Sequence, residues 1–598
     1  MSVWFLPLLI VGTTIVLSIP VGLYLAWIMD GRYRAPAWLR WLERRLNTGP
    51  QQWKQYAVSL LLFNTIMFVF GFLVLAVQAD APLNPDKKDM LAPTTIFNTV
   101  ASFLTNTNLQ HYSGEVHLSY WSQILFVVWN MFVSAAVGFC TLAAITRGLR
   151  GDEHMGNYYL DMWRVVAYVF IPASLLGGIL LMAAGVPMTF ERAAAVAPVE
   201  ADALGKTEDG GLKPQIIARG PVAAVLPIKH FGTNGGGFFG ANSAHPFENP
   251  NAWSNYFESV SILLFPFALV VMFGRMLQQM RHAAVIYGVM LGMFLAMIGW
   301  AVHFDTQQPN PALMAHAERT KDKDGIDVPA LPALPVDQRD MGNLEGKELR
   351  FGTSAGATFS AITTAVTCGS VNCMHDSLNP LAGLTPFTGM WLNCVFGGKG
   401  VGLVNLLIYL IVGVFLAGLM VGRTPEYLGK KVEAREMKLA MLALLIHPIL
   451  ILGSTGLFAA LSWGTDAVSN PGPHGFSQIL YEFSSASANN GSGFEGLNDT
   501  WGFNDTKPAP YNTRPWDIAT GLVMLLGRFI PILAPLALAG SLAAKKRTPF
   551  TSGTLRTDTL TFGFVILGTI LLVGALLFMP AAVLGPVAEH LGPIPFGP

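Results

Sequence analysis

Four stretches of small polar residues and glycine could bind a cation through their backbone carbonyl groups. They read Thr105-Asn106-Thr107-Asn108, Gly232-Thr233-Asn234-Gly235-Gly236-Gly237, Thr367-Cys368-Gly369-Ser370-Val371-Asn372 and Ala488-Asn489-Asn490-Gly491-Ser492-Gly493. Glycine in a helix costs about 1 kcal/mol relative to alanine, so these stretches predict non-helical backbone. Carbonyl oxygens of such backbone can replace the hydration shell of a potassium ion. The alternative is a set of ordinary polar loops, because glycine clusters usually mark loops.

The composition and the apolar runs indicate a polytopic membrane protein. The 598-residue chain is 52% hydrophobic and 12% charged, and soluble proteins usually carry about twice that charged fraction. Apolar runs near the roughly 20 residues needed to cross a bilayer lie at 5–28, 57–78, 119–146, 161–184, 253–274, 283–304, 390–421, 439–462, 515–543 and 560–583. The first run is too long for a secretory signal. The sequence therefore predicts an all-α integral membrane protein with ten transmembrane helices.

A short run of apolar and small residues precedes three of the polar stretches directly, at 96–104, 358–366 and 478–487. About ten residues are too few to cross a bilayer, so each run predicts a half-helix that enters the membrane and returns as extended backbone. The C-terminal ends of half-helices carry about half a negative charge and would point toward a shared cation. Because the plan recurs in four long connections, the sequence favours a cation filter over surface loops.

The four units form a repeat architecture, which decides a fold before local detail does. The predicted divisions are an N-terminal span with a cytoplasmic loop (1–56), four membrane–pore–membrane repeats (57–150, 151–282, 283–438 and 439–556) and a C-terminal span (557–598). The filters are predicted at 105–110, 232–237, 367–372 and 488–493. The four filter sequences differ, which suits a single-file entrance to a transporter better than a symmetric pore.

Basic residues crowd alternate connections between the spans. They are Arg32, Arg34, Arg40, Arg44, Arg45, Arg147, Arg150, Arg275, Arg281, Arg423, Lys430, Lys431, Arg435, Lys545, Lys546 and Arg547. The positive-inside rule predicts that these connections are cytoplasmic and that both termini lie outside. One long outer connection, 305–352, is acidic through Asp322, Asp324, Asp327, Asp337, Asp340, Glu345 and Glu348. It is either a solvated surface or a negative field that concentrates cations at an entrance.

Two basic residues fall at membrane depth, where an ionisable side chain is functional by default. Arg528 lies mid-way along the ninth run, and Lys399 lies in a glycine-rich interruption of the seventh run that no continuous helix favours. Arg528 is predicted to be a fixed positive charge below the filter that repels or gates a cation. The alternative is an ion pair with Glu482 or Asp376. Lys399 is predicted to belong to a gate or a turn beneath the third filter.

No motif of an ATP-hydrolysing or redox enzyme is evident in the chain. It contains neither a GxxxxGK[ST] phosphate loop nor the Asp-Lys-Thr-Gly motif that P-type pumps phosphorylate. Four cysteines lack CxxC spacing and are predicted to be free thiols in apolar surroundings: Cys140, Cys368, Cys373 and Cys394. His375 and Asp376 either form an acid–base pair or, as the sequence favours, hold the returning loop by hydrogen bonds. If this chain takes part in uphill transport of a cation, the energy must come from another chain or from an ion gradient.

Five stretches resemble one bacterial family over nearly the whole chain. They are 105–110; 232–239 with 241–249; 368–372 with 374–377; 422–431; and 489–492. In these stretches the chain resembles the potassium-binding (A) subunit of Kdp-type potassium-transporting ATPase complexes. The resemblance implies four covalently joined membrane–pore–membrane units related to potassium channels and to Trk/Ktr-type transporters. It also implies a multi-pass protein of the bacterial inner membrane, surrounded by membrane lipids.

The resemblance implies partners and a transported ion. The expected partners are a P-type ATPase subunit, a small periplasm-exposed accessory subunit and a short single-span peptide, with no nucleic acid. The expected ion is K⁺, with no other metal, no organic cofactor and no catalytic residue in this chain. Potassium in this family is thought to leave sideways, through a tunnel toward the ATPase subunit.

Carried over by position, the resemblance implies a potassium filter built mainly from backbone carbonyl groups. The expected residues are Thr105, Asn106, Thr107, Thr233, Asn234, Gly235, Cys368, Gly369, Asn489, Asn490 and Gly491. Gln110 is expected beside the filter, where affinity and selectivity depend on it. The chain departs from the family pattern at Leu109, where an aromatic residue is frequent, and at Gly493, where alanine is common. Neither departure removes a carbonyl group.

Three functions fit these observations to different degrees. The expected one is a potassium-selective binding and translocation subunit of an ATP-driven uptake pump. A gradient-driven symporter of the Trk/Ktr type shares the fourfold plan, but the two extra terminal spans argue against it. An assembly subunit with a vestigial filter is the third, and intact glycines in the filter stretches argue against that.

Overall fold

A computed structural model describes residues 3–200, 205, 212–309, 320–321, 327–328, 342–420, 422, 424–500, 513–548 and 555–592. The side chains of 320–321 and 327–328 are outside this description. Of the sequence-based predictions, Arg423 and most of the acidic connection, including Asp322, Asp324, Asp337 and Asp340, lie outside the described residues.

Within the described residues, ten helices are long and apolar enough to cross a membrane, as predicted. Spans 1 to 10 are Phe5–Met29, Trp53–Ala76, Tyr120–Arg150, Tyr158–Ala183, Ala252–Leu277, Met280–Thr306, Gly398–Met420, Ala434–Ala460, Thr513–Ala543 and Leu560–Leu591. The predicted run 390–421 is broken, as expected: a separate helix, Pro380–Leu392, ends before span 7 begins. Single π-helical stretches interrupt spans 3, 4 and 10 at Gln123–Val128, Val166–Phe170 and Val583–Val587, and another, Val302–Thr306, ends span 6.

Four shorter helices lie between successive pairs of spans. We call them short helices 1 to 4: Pro93–Leu104, Val222–Phe231, Ala355–Ala365 and Gly472–Ala488. Short helices 1 and 4 carry proline in their first turn, where the missing N–H has no intrahelical partner to lose. Almost every residue of the four is buried, so their small and apolar side chains pack against spans rather than against lipid.

The remaining described elements are minor. The other helices are Ala37–Leu46, Gly114–His117 and Ser462–Thr465, with 3₁₀ turns at Asn242–Ala244 and Leu349–Phe351. Three antiparallel strand pairs join Ala194–Val196 to Gln215–Ile217, Thr320–Lys321 to Asp327–Val328, and Glu426–Tyr427 to Lys430–Lys431. This small strand content leaves a helical membrane fold.

Each short helix lies between two spans, and the span that follows it is more buried than the span that precedes it. In spans 3, 5, 7 and 9, between 61% and 89% of the most apolar window is buried, against 28% to 50% in the other six. Short helix 1 packs against span 9, and short helix 4 packs against spans 8 and 9. The chain is therefore centred on spans 3, 5, 7 and 9 with the four short helices between them.

Candidate functional site

The four short helices end in one recurring pattern of backbone hydrogen bonds. The N–H of Thr107 donates to the carbonyl of Ser102 at 2.9 Å, five residues back. The counterparts are Asn234 to Lys229 at 2.8 Å, Cys368 to Thr363 at 2.8 Å and Asn490 to Ser485 at 2.9 Å. The residue before each donor has a positive φ: Asn106 63°, Thr233 38°, Thr367 48° and Asn489 54°. These bonds align four return segments, which we number 1 to 4: 105–110, 232–237, 366–371 and 488–493.

This register adds two residues that sequence reasoning did not name as site residues. Thr367 is the counterpart of Asn106, and Asn108 is the counterpart of Gly235, Gly369 and Gly491. The predicted third range, 367–372, begins one residue later than its three counterparts do in this register. Asn108 lacks the glycine that its three equivalents have, and Thr367 differs from the asparagine found in two of its three equivalents, so the hydrogen-bond pattern was needed to find both.

The four return segments meet in a closed ring. A Cβ added to Gly369 would lie 2.5 Å from the carbonyl carbon of Gly491, and one added to Gly235 would overlap the backbone of Gly369. A Cβ on Gly491 would overlap the carbonyl oxygen of Thr107. A Cβ added to Gly236 would lie 3.0 Å from the Cβ of Asn108, so segments 1 and 2 are also neighbours and the ring is closed. Backbone atoms of segments 1, 2, 3 and 4 therefore surround one point in that order.

Asparagine side chains tie neighbouring segments together. The amide of Asn234 donates to Oδ1 of Asn106 at 2.7 Å, and Asn106 donates to the carbonyl of Thr233 at 3.2 Å. Segment 4 bonds to both of its neighbours in the same way: Asn489 donates to Oγ1 of Thr107 at 3.0 Å, and Asn490 donates to the carbonyl of Cys368 at 3.3 Å. The predicted site residues of all four segments thus lie together, and all of them are buried except Gly491, which is partly buried.

Thr105 and Gln110 bracket return segment 1. The hydroxyl of Thr105 donates to the carbonyl of Ala101 at 2.8 Å and shares a hydrogen bond of 2.7 Å with the hydroxyl of Thr107. The Gln110 side chain accepts from the N–H of Gly237 at 2.9 Å and donates to the carbonyl of Gly237 at 3.1 Å. Gln110 therefore fixes the distance between segments 1 and 2.

A buried polar network holds return segment 2 from outside the ring. Nδ2 of Asn242 donates to the carbonyl of Gly235 at 2.6 Å. Lys229 lies 2.6 Å from Glu248, and the other oxygen of Glu248 accepts from the N–H of Phe239 at 2.9 Å. Residues 241–249, which carry part of the family resemblance, therefore position segment 2.

The loop that interrupts the seventh apolar run lies directly against segments 2 and 3. The N–H of Gly398 donates to Oγ1 of Thr367 at 3.0 Å. Lys399 has a positive φ of 42°, is buried, and places its ammonium 2.7 Å from the carbonyl oxygen of Thr233. The ammonium group therefore contacts a carbonyl at the short-helix end of the ring.

Arg528 lies on span 9, at the same end of the ring. Its Nη2 donates to the carbonyl of Ser134 at 3.2 Å, and the Ser134 hydroxyl donates to Oδ1 of Asn106 at 2.8 Å. Among the described residues Arg528 forms no salt bridge. Glu482 and Asp376, the predicted alternatives, lie against His111 and His474 instead. A cavity of about 40 Å³ lined by Arg528, Thr367, Asn393, Asn405 and Asn489 opens here.

A larger vestibule of about 380 Å³ covers the opposite end of the ring. It is lined by Gln110, Gly369 and Gly491 and by four acidic residues, Glu115, Glu482, Glu495 and Asp499. Burial raises the pKa of Glu495 to about 7, although the backbone N–H groups of Asp376 and His375 lower it. The vestibule is an acidic approach to the ring, and such a field concentrates cations.

His375 and Asp376 do not face each other as an acid–base pair. His375 shares a hydrogen bond of 2.7 Å with the Tyr481 hydroxyl, and burial lowers the pKa of His375 to about 3. The N–H groups of His375 and Asp376 donate to the two oxygens of Glu495 at 3.2 and 2.9 Å. The interpretation that these residues hold the loop by hydrogen bonds is confirmed.

The four cysteines are free and buried, as predicted: Cys140, Cys368, Cys373 and Cys394. Burial raises the pKa of Cys373, which lies outside the spans, to about 12. A thiol with such a pKa stays protonated and unreactive at neutral pH.

The fold and the ring define a polytopic helical membrane protein in which four buried backbone segments enclose one point. The family model described as Potassium-transporting ATPase A subunit matches residues 8–591, and the chain belongs to that family. A relative from Geobacillus kaustophilus (strain HTA426), the "Potassium-transporting ATPase potassium-binding subunit", is 46% identical over 585 residues. That alignment covers 96% of this chain and 97% of the relative.

Proposed function

We propose that the chain is the potassium-binding and translocation subunit of an ATP-driven K⁺ uptake pump. The observation that carries the proposal is the ring of four return segments, whose shared hydrogen-bond register presents equivalent backbone positions to one point. Carbonyl rings of this kind select K⁺ by replacing its hydration shell. Membership of the Potassium-transporting ATPase A subunit family supports the same function.

The proposed filter uses backbone carbonyl groups of the return segments. Its residues are Thr105, Asn106, Thr107, Thr233, Asn234, Gly235, Cys368, Gly369, Asn489, Asn490 and Gly491, with Asn108 and Thr367 added by the register. Four covalently joined units, bracketed by spans 1 and 10, supply them. Gln110 positions the filter by fixing segment 2 relative to segment 1.

Lys399 and Arg528 are proposed to control exit from the filter. The ammonium of Lys399 lies 2.7 Å from the Thr233 carbonyl, so it holds a positive charge where an ion must leave. Arg528 faces the small cavity that continues from this end. Buried cations without a carboxylate partner repel a second cation, because the Coulomb energy is large in a low dielectric.

The acidic vestibule is proposed to face the periplasm and the basic connections the cytoplasm. The positive-inside rule supports this orientation, which places both termini in the periplasm and the chain in the bacterial inner membrane. K⁺ then enters from the periplasm through the vestibule and passes inward past Lys399.

The proposed partners are a P-type ATPase subunit, an accessory subunit and a small single-span subunit. The family description and the relative's name both refer to a potassium-transporting ATPase, which supports the first of these. No phosphorylation motif of a P-type pump occurs in this chain, so the energy for uphill transport has to come from the ATPase partner. Family membership favours this pump over a gradient-driven Trk/Ktr-type symporter.

Copurification from native membranes, with ATPase activity assayed against added K⁺, tests the proposal. A K⁺-stimulated ATPase that travels with the chain is the expected result. A chain that purifies alone, yet carries K⁺ into liposomes under an ion gradient, would overturn the pump in favour of the symporter.

A further inference from the structure

A cluster of one histidine and three carboxylates lies in the wall of the vestibule. Nε2 of His111 is 3.2 Å from Oε1 of Glu482 and 3.6 Å from Oδ2 of Asp499. The three ligand atoms lie within 4.8 Å of one another. The side chains of His111, Glu482 and Asp499 are 2%, 4% and 10% exposed, so bulk water does not separate them.

Asp517 fixes the orientation of the His111 ring. Its Oδ1 lies 2.8 Å from Nδ1 of His111, and its Oδ2 accepts hydrogen bonds from the hydroxyls of Thr94 and Thr95, each at 2.9 Å. A carboxylate on Nδ1 keeps a proton on that nitrogen, so Nε2 is the atom that a metal ion would bind after displacing the proton that Nε2 shares with Glu482. Carboxylate–histidine pairs of this kind orient metal-binding histidines in proteins.

The Oδ2 atom of Asp499 is a buried acceptor without a hydrogen-bond partner. It points toward the same Nε2 atom that Glu482 faces. Two carboxylate oxygens, one from Glu482 and one from Asp499, therefore converge on Nε2 of His111. A buried carboxylate oxygen without a hydrogen bond is unfavourable, and a metal cation bound at this point would remove that cost.

We propose that His111, Glu482 and Asp499 form a site for a divalent transition-metal cation of the Zn²⁺ class. Tetrahedral ligands bonded to Zn²⁺ at about 2.0–2.1 Å lie about 3.3 Å apart, and two of the three distances here, 3.2 and 3.6 Å, are close to that value. The imidazole ligand favours Zn²⁺ or a similar metal over Mg²⁺ or Ca²⁺, which take oxygen ligands. The vestibule leaves the fourth position open to water.

The position of this site gives the metal a consequence for transport. His111 follows return segment 1, Glu482 lies on short helix 4, and Asp499 follows return segment 4. A bound metal links the first and fourth units and adds two positive charges to the vestibule that Gln110 and Gly491 also line. The bound metal therefore repels K⁺ at the mouth of the ring and inhibits its entry.

A second histidine outside the spans provides a matched control. His474 also lies between two carboxylates, with Nε2 3.1 Å from Asp376 and Nδ1 2.8 Å from Glu589. Each ring nitrogen of His474 faces a single carboxylate, and no oxygen of Asp376 or Glu589 is a buried acceptor without a hydrogen bond. His474 therefore lacks the pair of carboxylate oxygens that converges on one nitrogen of His111.

Zn²⁺ binding to the purified complex, stripped with a chelator and kept at low K⁺, tests the site. We expect one tight Zn²⁺ per chain by calorimetry, and a tetrahedral Co²⁺ absorption spectrum when Co²⁺ replaces it. Asp499→Asn and His111→Gln should each weaken binding at least 100-fold, and Asp517→Asn by 10- to 100-fold. His474→Gln should keep the wild-type affinity.

Three results would overturn the site: no tight Zn²⁺ in the wild type, equal affinity in Asp499→Asn, or displacement of the ion by millimolar K⁺. The third result would assign the cluster to a monovalent cation. A separate measurement follows the K⁺-stimulated ATPase, which Zn²⁺ should inhibit in the wild type and not in Asp499→Asn. The ATPase measurement rests on the proposed function, whereas the binding titration does not. Zn²⁺ binding without inhibition of the ATPase would therefore leave the metal site in place and contradict only its effect on K⁺ entry.

Discussion

Gln110 contacts the backbone of Gly237 with both polar atoms of its side chain. The oxygen accepts from the N–H of Gly237 at 2.9 Å, and the nitrogen donates to the Gly237 carbonyl at 3.1 Å. The same nitrogen lies 3.1 Å from the hydroxyl of Tyr112. A single side chain therefore sets the separation of return segments 1 and 2 without lending an atom to the ring itself.

Gln110→Ala should weaken K⁺ binding without unfolding the protein. Two hydrogen bonds are lost, each with a net contribution of about 1 kcal/mol, so the K⁺ concentration for half-maximal ATPase stimulation should rise about 30-fold. Discrimination of K⁺ from Rb⁺ should fall as well, because segment 2 is free to shift. Gln279→Ala serves as the control, because Gln279 is an exposed glutamine in the connection between spans 5 and 6. An unchanged K⁺ dependence of the ATPase in Gln110→Ala would contradict the role of Gln110 in positioning the filter.

Gly491→Ala and Gly493→Ala should differ sharply although they lie two residues apart. Gly491 has a φ of 101°, and its Cβ would overlap the Thr107 carbonyl oxygen. A Cβ on Gly493 would meet only Oε2 of Glu482, at 3.7 Å, which is an ordinary contact. We expect at least a tenfold loss of K⁺-stimulated ATPase for Gly491→Ala and less than a twofold change for Gly493→Ala. Similar activity in the two variants would contradict the closed ring.

Some of these features could be predicted from the sequence and others could not. The spans follow from apolar length, and the broken seventh run follows from the glycines around Lys399, because both are local properties of the chain. The open space at Gly493 is compatible with the alanine that the family resemblance leads one to expect there. The equivalence of Thr367 and Asn108 to their partners, by contrast, depends on hydrogen bonds made at the ends of the short helices.

The contacts between distant segments were also beyond the sequence. Glu482 was predicted as a possible partner of Arg528, but the fold places it against His111, 371 residues earlier in the chain. The sequence shows that a charged residue in an apolar region, such as Glu482, needs a partner. Which partner Glu482 has depends on how short helix 4 packs against its neighbours.

Lys399→Met should raise passive ion flux. The methionine side chain has a similar length but no charge, so it removes the ammonium group that lies 2.7 Å from the Thr233 carbonyl. The Thr233 carbonyl still accepts from Asn106, so the segment keeps a partner. We expect a several-fold higher ⁸⁶Rb⁺ leak in liposomes containing the complex, with an unaltered unfolding temperature. Lys438→Met, at an exposed lysine of span 8, is the control. A leak equal to that of the wild type would exclude Lys399 as a gate.

Arg528→Ala should reduce transport more than it reduces stability. Arg528 has only the Ser134 carbonyl as a described hydrogen-bond partner, so its removal leaves no carboxylate unpaired. Arg147 provides the contrast, since its two terminal nitrogens donate to Asp161 at 2.6 and 3.0 Å. Arg147→Ala removes two hydrogen bonds from that buried carboxylate, which keeps only Tyr56 at 3.2 Å and Arg164 at 3.3 Å, and should cost about 3 kcal/mol of stability. ATPase coupling and thermal unfolding, measured on both variants, separate the two roles. Loss of folded protein in Arg528→Ala would favour a structural role for Arg528.

The stability of the protein should depend on pH through His474, which joins the start of short helix 4 to Asp376 and to Glu589 of span 10. Burial would lower the pKa of His474, but hydrogen bonds to Asp376 and Glu589 raise it from 6.5 to about 10. Because the folded pKa lies above the unfolded one, the stabilisation is fully present below about pH 6.5 and disappears as the pH rises through about 10. Thermal unfolding of the purified protein should show a wild-type midpoint that exceeds that of His474→Gln at pH 6, with the difference vanishing above pH 10. A difference that stayed constant from pH 6 to pH 10 would show that packing, and not the charge on the imidazole, accounts for the effect.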